Sequence, residues 1–172
     1  MKKFLKITGV VLLLLTVIFF SLGLINPNVS YTSEILVNKP VAETFRKYND
    51  PGTLKQWIPE MKSFEIVEIK PGMVGTKLKM IIESEGQTME LNEEVTAFEE
   101  NKLVGLSFDA GMMHKSDLVE FIQTGDGTLI KGTYTCTGSN LFYKSLFSLF
   151  KGKFKSIDEG YLKNFKVFIE RT

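Results

Sequence analysis

The sequence predicts an α+β domain in which a seven-stranded antiparallel sheet wraps around one long C-terminal helix, with two short helices after the first strand and an apolar helix ahead of the whole. Three observations predict this. Between residues 140 and 172, Phe150, Phe154, Ile157, Tyr161, Phe165 and Phe168 recur at steps of three and four, which puts six large apolar side chains on one helical face. Before that stretch, a series of short segments alternates apolar and polar residues with period two, broken by turn signals. At the N-terminus, residues 7–25 form a run of nineteen residues without a charge.

Taken in order, that run is about 28 Å long as a helix, close to the hydrocarbon thickness of a bilayer. Lys2, Lys3 and Lys6 precede it, and NPNVSYTSE after it carries no positive charge. The positive-inside rule then puts the N-terminus in the cytoplasm and the domain on the extracytoplasmic side of the cell membrane, as a single-pass protein. A cleaved signal peptide is the rival reading. The run is longer than a usual signal core and lacks a clear A-x-A site, although SLG precedes its end, so an uncleaved anchor is expected. The division expected is an anchor over 1–26, a linker over 27–30 and a domain over 31–172.

The first strand is YTSEILV, residues 31–37, rich in β-branched and aromatic residues. Asn38-Lys39-Pro40 stops it, and Pro40 suits the first turn of a helix through VAETFRKY. Asn49-Asp50-Pro51-Gly52 is a turn, and residues 53–58 make a second short helix ended by Pro59. The alternating strands follow at 63–69, 76–84, 88–98, 102–108, 115–123 and 128–137. The breaks between them hold Pro71-Gly72, Gly75, Glu85-Gly86, residues 99–101, Ala110-Gly111 and Gly125-Asp126-Gly127. Breaks this short favour hairpins, hence a meander. Gly152 and Gly160 sit inside the last helical stretch, where each costs roughly 1 kcal/mol, and mark a bend or a close approach to the sheet.

Composition excludes several function classes. A single cysteine, Cys136, leaves no intramolecular disulfide, and with one histidine, His114, no Cys/His zinc cluster can form. Nothing supports a metal or other cofactor. Net charge is +1, but it is unevenly spread: residues 27–140 carry −6 and residues 141–172 carry +4. A nucleic-acid binder usually shows a basic domain with a dense cationic stripe, so nucleic acid is not an expected partner. An anionic membrane surface is compatible with the basic C-terminal part. There, LFYKSLFSLFKGKF (residues 141–154) mixes aromatics with Lys144, Lys151 and Lys153, as a helix lying on a bilayer does, although core packing with ordinary solvated lysines explains it too.

The segment ILVNKPVAETFRKYNDPGTLKQWIP (residues 35–59), the hairpin sequences EEVTAFEENKLVGL and GDGTLI, and the closing YLKNFKVFIE together resemble the helix-grip fold of the START-like (SRPBCC, or Bet v 1-like) superfamily. More particularly they are similar to its bacterial polyketide cyclase/dehydrase and lipid-transport type. The resemblance covers about residues 31–170 and is a pattern over the whole domain rather than a sharp motif. It implies a cavity between sheet and long helix that holds an apolar small molecule or lipid, with Trp57 near its mouth. Members include lipid carriers, hormone receptors, ring-closing enzymes and coenzyme Q-binding proteins, and they share no catalytic set to carry over. The N-terminal span departs from the many soluble members and favours a membrane-linked task.

Strand alternation gives the cavity-lining candidates. Leu78, Met80 and Ile82 share one face, as do Met89, Leu91, Glu93 and Val95, and likewise Val104, Leu106 and Phe108. Tyr161 and Phe165 join them from the helix. Methionines facing an aromatic helix suit varied ligands, while the bland alternative is plain core. Glu93 falls among apolar neighbours, where its pKa would rise, although a register slip of one would put Glu94 in its place. His114 near a strand start and Tyr134, which shares a face with Ile130 and Cys136, complete the weak acid/base candidates. No Ser/His/Asp order, phosphate loop or paired-carboxylate spacing points to a reaction. The leading expectation is a membrane-anchored, non-catalytic domain binding a hydrophobic small molecule or lipid. The alternatives are a cyclase- or dehydratase-like enzyme on an apolar substrate, and a protein-interaction domain with a collapsed cavity.

Overall fold

The computed structural model of the chain describes residues 1–84 and 86–171. Glu85, half of one expected turn, and Thr172 lie outside the described residues. Helix α1, Lys2–Ile25, has a mean hydropathy of 2.6 and is long and apolar enough to cross a membrane. The hydroxyls of its apolar run are satisfied internally: Thr8, Thr16 and Ser21 donate to the carbonyls of Phe4, Leu12 and Val17 at 3.1, 2.9 and 2.8 Å. Hydroxyls folded back onto the preceding turn in this way tolerate an apolar solvent.

Seven strands follow the expected pattern. β1 (Asn28–Val37) precedes two short helices, α2 (Val41–Tyr48) and α3 (Leu54–Trp57), joined by a 3-10 turn at Pro51–Thr53. The meander then runs β2 (Met61–Glu68), β3 (Lys77–Ser84), β4 (Gln87–Glu99), β5 (Leu103–Asp109), β6 (Met113–Thr124) and β7 (Gly127–Gly138). All pairs are antiparallel, in the order β1-β7-β6-β5-β4-β3-β2, so the first strand closes back beside the last. β1 begins at Asn28, three residues earlier than its composition indicates, because Asn28, Val29 and Ser30 pair with Thr137, Cys136 and Thr135. Asn26 and Pro27 alone separate α1 from the sheet.

The C-terminal stretch is two helices rather than one. α4 (Leu141–Leu149) is capped by Asn140, whose side chain accepts from the Tyr143 amide at 3.1 Å. It stops where the Phe150 amide turns back to Phe147, and α5 (Lys151–Arg171) starts at once. The break falls two residues before Gly152. The buried face of α5 is also shifted from the predicted one: Asp158, Leu162, Phe165 and Ile169 point inward, whereas Phe150 and Ile157 are 45% and 40% exposed. Large apolar residues mark a broad stripe, but the sheet selects as its contact the edge of that stripe that carries a carboxylate.

Two apolar clusters fill the interior. The larger gathers Phe45, Trp57, Val104, Val119, Phe121, Leu162 and Phe165 beneath α2 and α3. The smaller gathers Val29, Tyr31, Tyr134, Cys136 and Phe147 beneath α4. α5 lies mainly along β1 and against α3, which leaves the inner faces of β3 and β4 partly open.

Candidate functional site

The strand register brings the site together. One row across the inner face reads Glu93, Phe108, Lys115, Cys136 and Val29, and the next reads Leu106, Asp117, Tyr134 and Tyr31. Strand alternation predicts that these residues share a face, and they do. Glu93 is half-buried on that face and Glu94 is exposed on the other, so the two acids do not exchange. Gly132 gives the Tyr134 ring its room, since a Cβ there would sit 2.1 Å from the phenolic oxygen.

The centre of the site is Lys115. Its Nζ donates to Asp117 Oδ2 at 2.7 Å and to Asp158 Oδ1 at 2.9 Å, and lies 4.7 Å from the centre of the Tyr134 ring. Tyr31 donates to the other Asp158 oxygen at 2.5 Å and stacks on Tyr134 at 5.3 Å. All three charged side chains are 15% exposed or less. A lone lysine faces two carboxylates, so the group carries one negative charge when all three ionise, and Glu93 adds a second. Asp117 Oδ1 is buried without a hydrogen-bond partner among the described residues.

Burial sets the proton affinities. Glu93 is pushed up to about 7 by burial and then by the Asp117 charge. Burial likewise lifts Asp117 to about 6, with Lys115 pulling it down and Asp158 adding to the rise. Burial on its own would lower the Lys115 pKa, but the two aspartates outweigh it and hold the ammonium charged. Burial, then Asp158, pushes the Tyr31 phenol far above its ordinary range, and burial lifts the Cys136 thiol to about 11. Such an arrangement can accept hydrogen bonds from a ligand at Asp117 and Glu93 and can hold a proton near neutrality. Its phenols and thiol remain protonated.

Of the residues predicted from sequence, Leu78 and Met80 are buried on the inner face, Leu106 and Phe108 are half-buried and pair with Asp117 and Lys115, and Ile82 and Leu91 are half-buried further along β3 and β4. Met89 shares their face but is 39% exposed, out beyond the reach of the helix. Trp57 and Phe165 are 4% and 0% exposed, with ring centres 5.3 Å apart in the larger core. Tyr161 is half-buried, and its phenol is pushed up by burial and by Glu60. His114 lies on the outer face, half-exposed, 3.6 Å from Asp109 and away from the inner group. Two surface depressions of about 580 and 620 Å³, one beside α2 and one beside the β6–β7 turn, are lined by none of these residues.

Sequence reasoning missed Lys115, Asp117, Asp158 and Tyr31. A signal for two of them was present: Lys115 and Asp117 have the same parity as Val119 and Phe121, so any register that buries the latter pair draws the former inward.

The topology recurs in known structures. The chain has the helix-grip fold. Ara h 8.0201 matches over 84% of this chain and 99% of its own, with 18% identity and a TM-score of 0.67. The Staphylococcus aureus protein of unknown function SA2116 matches over 84% and 94%, at 17% identity and a TM-score of 0.68. The di-domain ARO/CYC StfQ of the steffimycin biosynthetic pathway matches over 85% of this chain and 52% of its own, at 12% identity and 0.71. No family model and no curated protein sequence matches the chain. In this helix-grip domain, the charged group lies where strands and long helix face one another.

Proposed function

We propose that this is a membrane-anchored helix-grip domain that binds a hydrophobic small molecule or lipid on the inner face of its sheet without transforming it. The observation that carries the reading is the half-buried apolar surface of Ile82, Leu91 and Phe108, backed by buried Leu78 and Met80, which runs along the inner face to the charged group. An apolar body lies along that surface, and a head bearing hydrogen-bond donors meets Asp117 Oδ1 and Glu93. Satisfying a buried orphan acceptor contributes about 1–3 kcal/mol, enough to orient a ligand that apolar contact alone would leave free to slide. α1 serves as an uncleaved anchor, and its three preceding lysines favour an extracytoplasmic domain.

The carboxyls poised near neutrality favour a second reading, a cyclase- or dehydratase-like enzyme in which Glu93 or Asp117 moves a proton. Organic extraction and mass spectrometry of the full chain purified in mild detergent, beside a Leu91→Trp variant that fills the open face, test the first reading. A stoichiometric apolar compound in the parent chain, depleted in the variant, is expected. A folded parent chain that carries none and takes up no offered lipid sinks it. Asp117→Asn separates the two readings: a carrier keeps or weakens its ligand, whereas an enzyme keeps ligand and loses turnover.

A further inference from the structure

We infer that α4 is a membrane foot: it lies in the interface of an anionic bilayer beside α1 and holds the domain in one attitude. The inference rests on the reading of α1 as a span. The contact between the two helices is close. Gly23 is buried, and a Cβ there would come 2.4 Å from Ser145 Oγ and 2.7 Å from the Ser145 amide nitrogen. The rings of Phe19 and Phe142 are 5.7 Å apart, and Ser148 donates to the Asn26 carbonyl at 2.9 Å. α4 is therefore fixed against the last two turns of α1. At 1.5 Å per residue, Phe19 lies about 9 Å below Ile25, within the depth of roughly 5–10 Å at which interfacial helices sit.

α4 has two faces. Tyr143 and Phe147 turn inward to the smaller cluster. Leu141, Phe142, Leu149 and Phe150 are left 37–58% exposed, Phe142 even with the rings of Phe19 and Tyr143 against it. Residues 141–155 hold four lysines and no acid. Lys155 pairs with Glu159 at 3.7 Å, and the segment as a whole stays basic. Apolar residues beside a span, followed by a run of lysines, match acyl chains below anionic head groups. A soluble protein partner would have to displace the bilayer that the span itself brings. The consequence reaches the site: Phe147 packs with Tyr31, Tyr134 and Cys136, so the charged group lies about one helix diameter, some 10 Å, from the lipid.

The test uses the full chain in vesicles of equal parts phosphatidylcholine and phosphatidylglycerol. Cys136 is fully buried, so an environment-sensitive thiol label reports on single introduced cysteines. Labels at Phe142→Cys and Leu149→Cys are expected to be quenched by nitroxide lipids several-fold more than a label at Val67→Cys, an equally exposed position on β2. Adding Lys151→Glu and Lys155→Glu is expected to bring the Leu149→Cys signal down toward that control; an unchanged signal removes the anionic lipid from the proposal. Labels at 142 and 149 no more quenched than at 67, in vesicles that retain the chain through an alkaline wash, overturn the foot and leave the anchor standing. Extraction of the chain by that wash overturns the anchor and the foot together.

Discussion

The two ends of the inner face are built from the same elements and are opposite in character. At one end β1, β6, β7 and α5 contribute Val37, Phe121, Ile130 and Phe165, all 4% exposed or less, packed with Trp57 and Tyr48. A few residues along, the same four elements contribute Tyr31, Lys115 with Asp117, Tyr134 and Asp158. Alternation places side chains of both sets on the same face, so geometry does not distinguish them. Chemistry does. The first end is apolar packing with one donor unpartnered among the described residues, Trp57 Nε1, while the second holds an uneven charge count and an orphan carboxylate oxygen, which a stable core does not need.

Substitutions can break this contrast. Phe165→Ala leaves a cavity in the dry end and should cost about 3–5 kcal/mol in denaturant unfolding of the detergent-solubilised chain. Asp158→Ala leaves the buried Tyr31 hydroxyl without its carboxylate and Lys115 with Asp117 alone, and should cost about 1–3 kcal/mol. The two ends part when the whole charged group is replaced. Lys115→Met with Asp117→Leu and Asp158→Leu should be neutral or stabilising by up to about 4 kcal/mol, since a buried ion group rarely outperforms apolar packing. If the triple variant unfolds as readily as Asp158→Ala alone, the charges are structural and the contrast fails.

Acidity sharpens the same contrast. Folded Glu93 keeps its proton up to about pH 7, whereas the unfolded chain loses it near 4.5. The folded state binds the extra proton in that window, so stability falls as pH rises through it. Glu93→Gln should abolish most of that fall and raise stability at pH 8 by on the order of 2 kcal/mol, measured as the difference between denaturation midpoints at pH 5 and pH 8. An unchanged pH slope would place the Glu93 carboxyl in water. The smallest effect belongs to α5, where a Cβ on Gly160 meets nothing within 4 Å. Gly160→Ala should stabilise by roughly 0.5–1 kcal/mol while leaving ligand uptake unchanged, and a scan of melting temperature checks it.

The fold was largely legible. Period-two alternation over six segments, turn residues between them and a period near 3.6 at the end were enough for the antiparallel meander and a long closing helix, but not for the break that makes α4 a helix of its own. The faces of Leu78, Met80 and Glu93 were legible for the same reason, because parity within a strand survives small errors at its ends. The helix was read less well. Its aromatics cover more than half a turn, and nothing local says that Asp158, rather than Ile157, faces the sheet. Ile157 looks inward on hydropathy, yet Tyr31 and Lys115 offer Asp158 two charge-assisted hydrogen bonds that no apolar residue can make.

The sequence by itself determined the apolar N-terminal helix, the meander, the inner-face parity and the absence of an intramolecular disulfide. Those depend on local periodicity, charge runs and residue counts, which a chain carries before it folds. Tertiary structure alone decided that Lys115, Asp117, Asp158 and Tyr31 form one group, that α4 docks on α1 through Gly23 and Ser145, and that Trp57 and Phe165 meet in the core. Each joins residues far apart in the chain, up to 127 positions for Tyr31 and Asp158. Their proximity follows from strand register and helix rotation, and desolvation then gives the polar members hydrogen bonds and proton affinities that no isolated segment possesses.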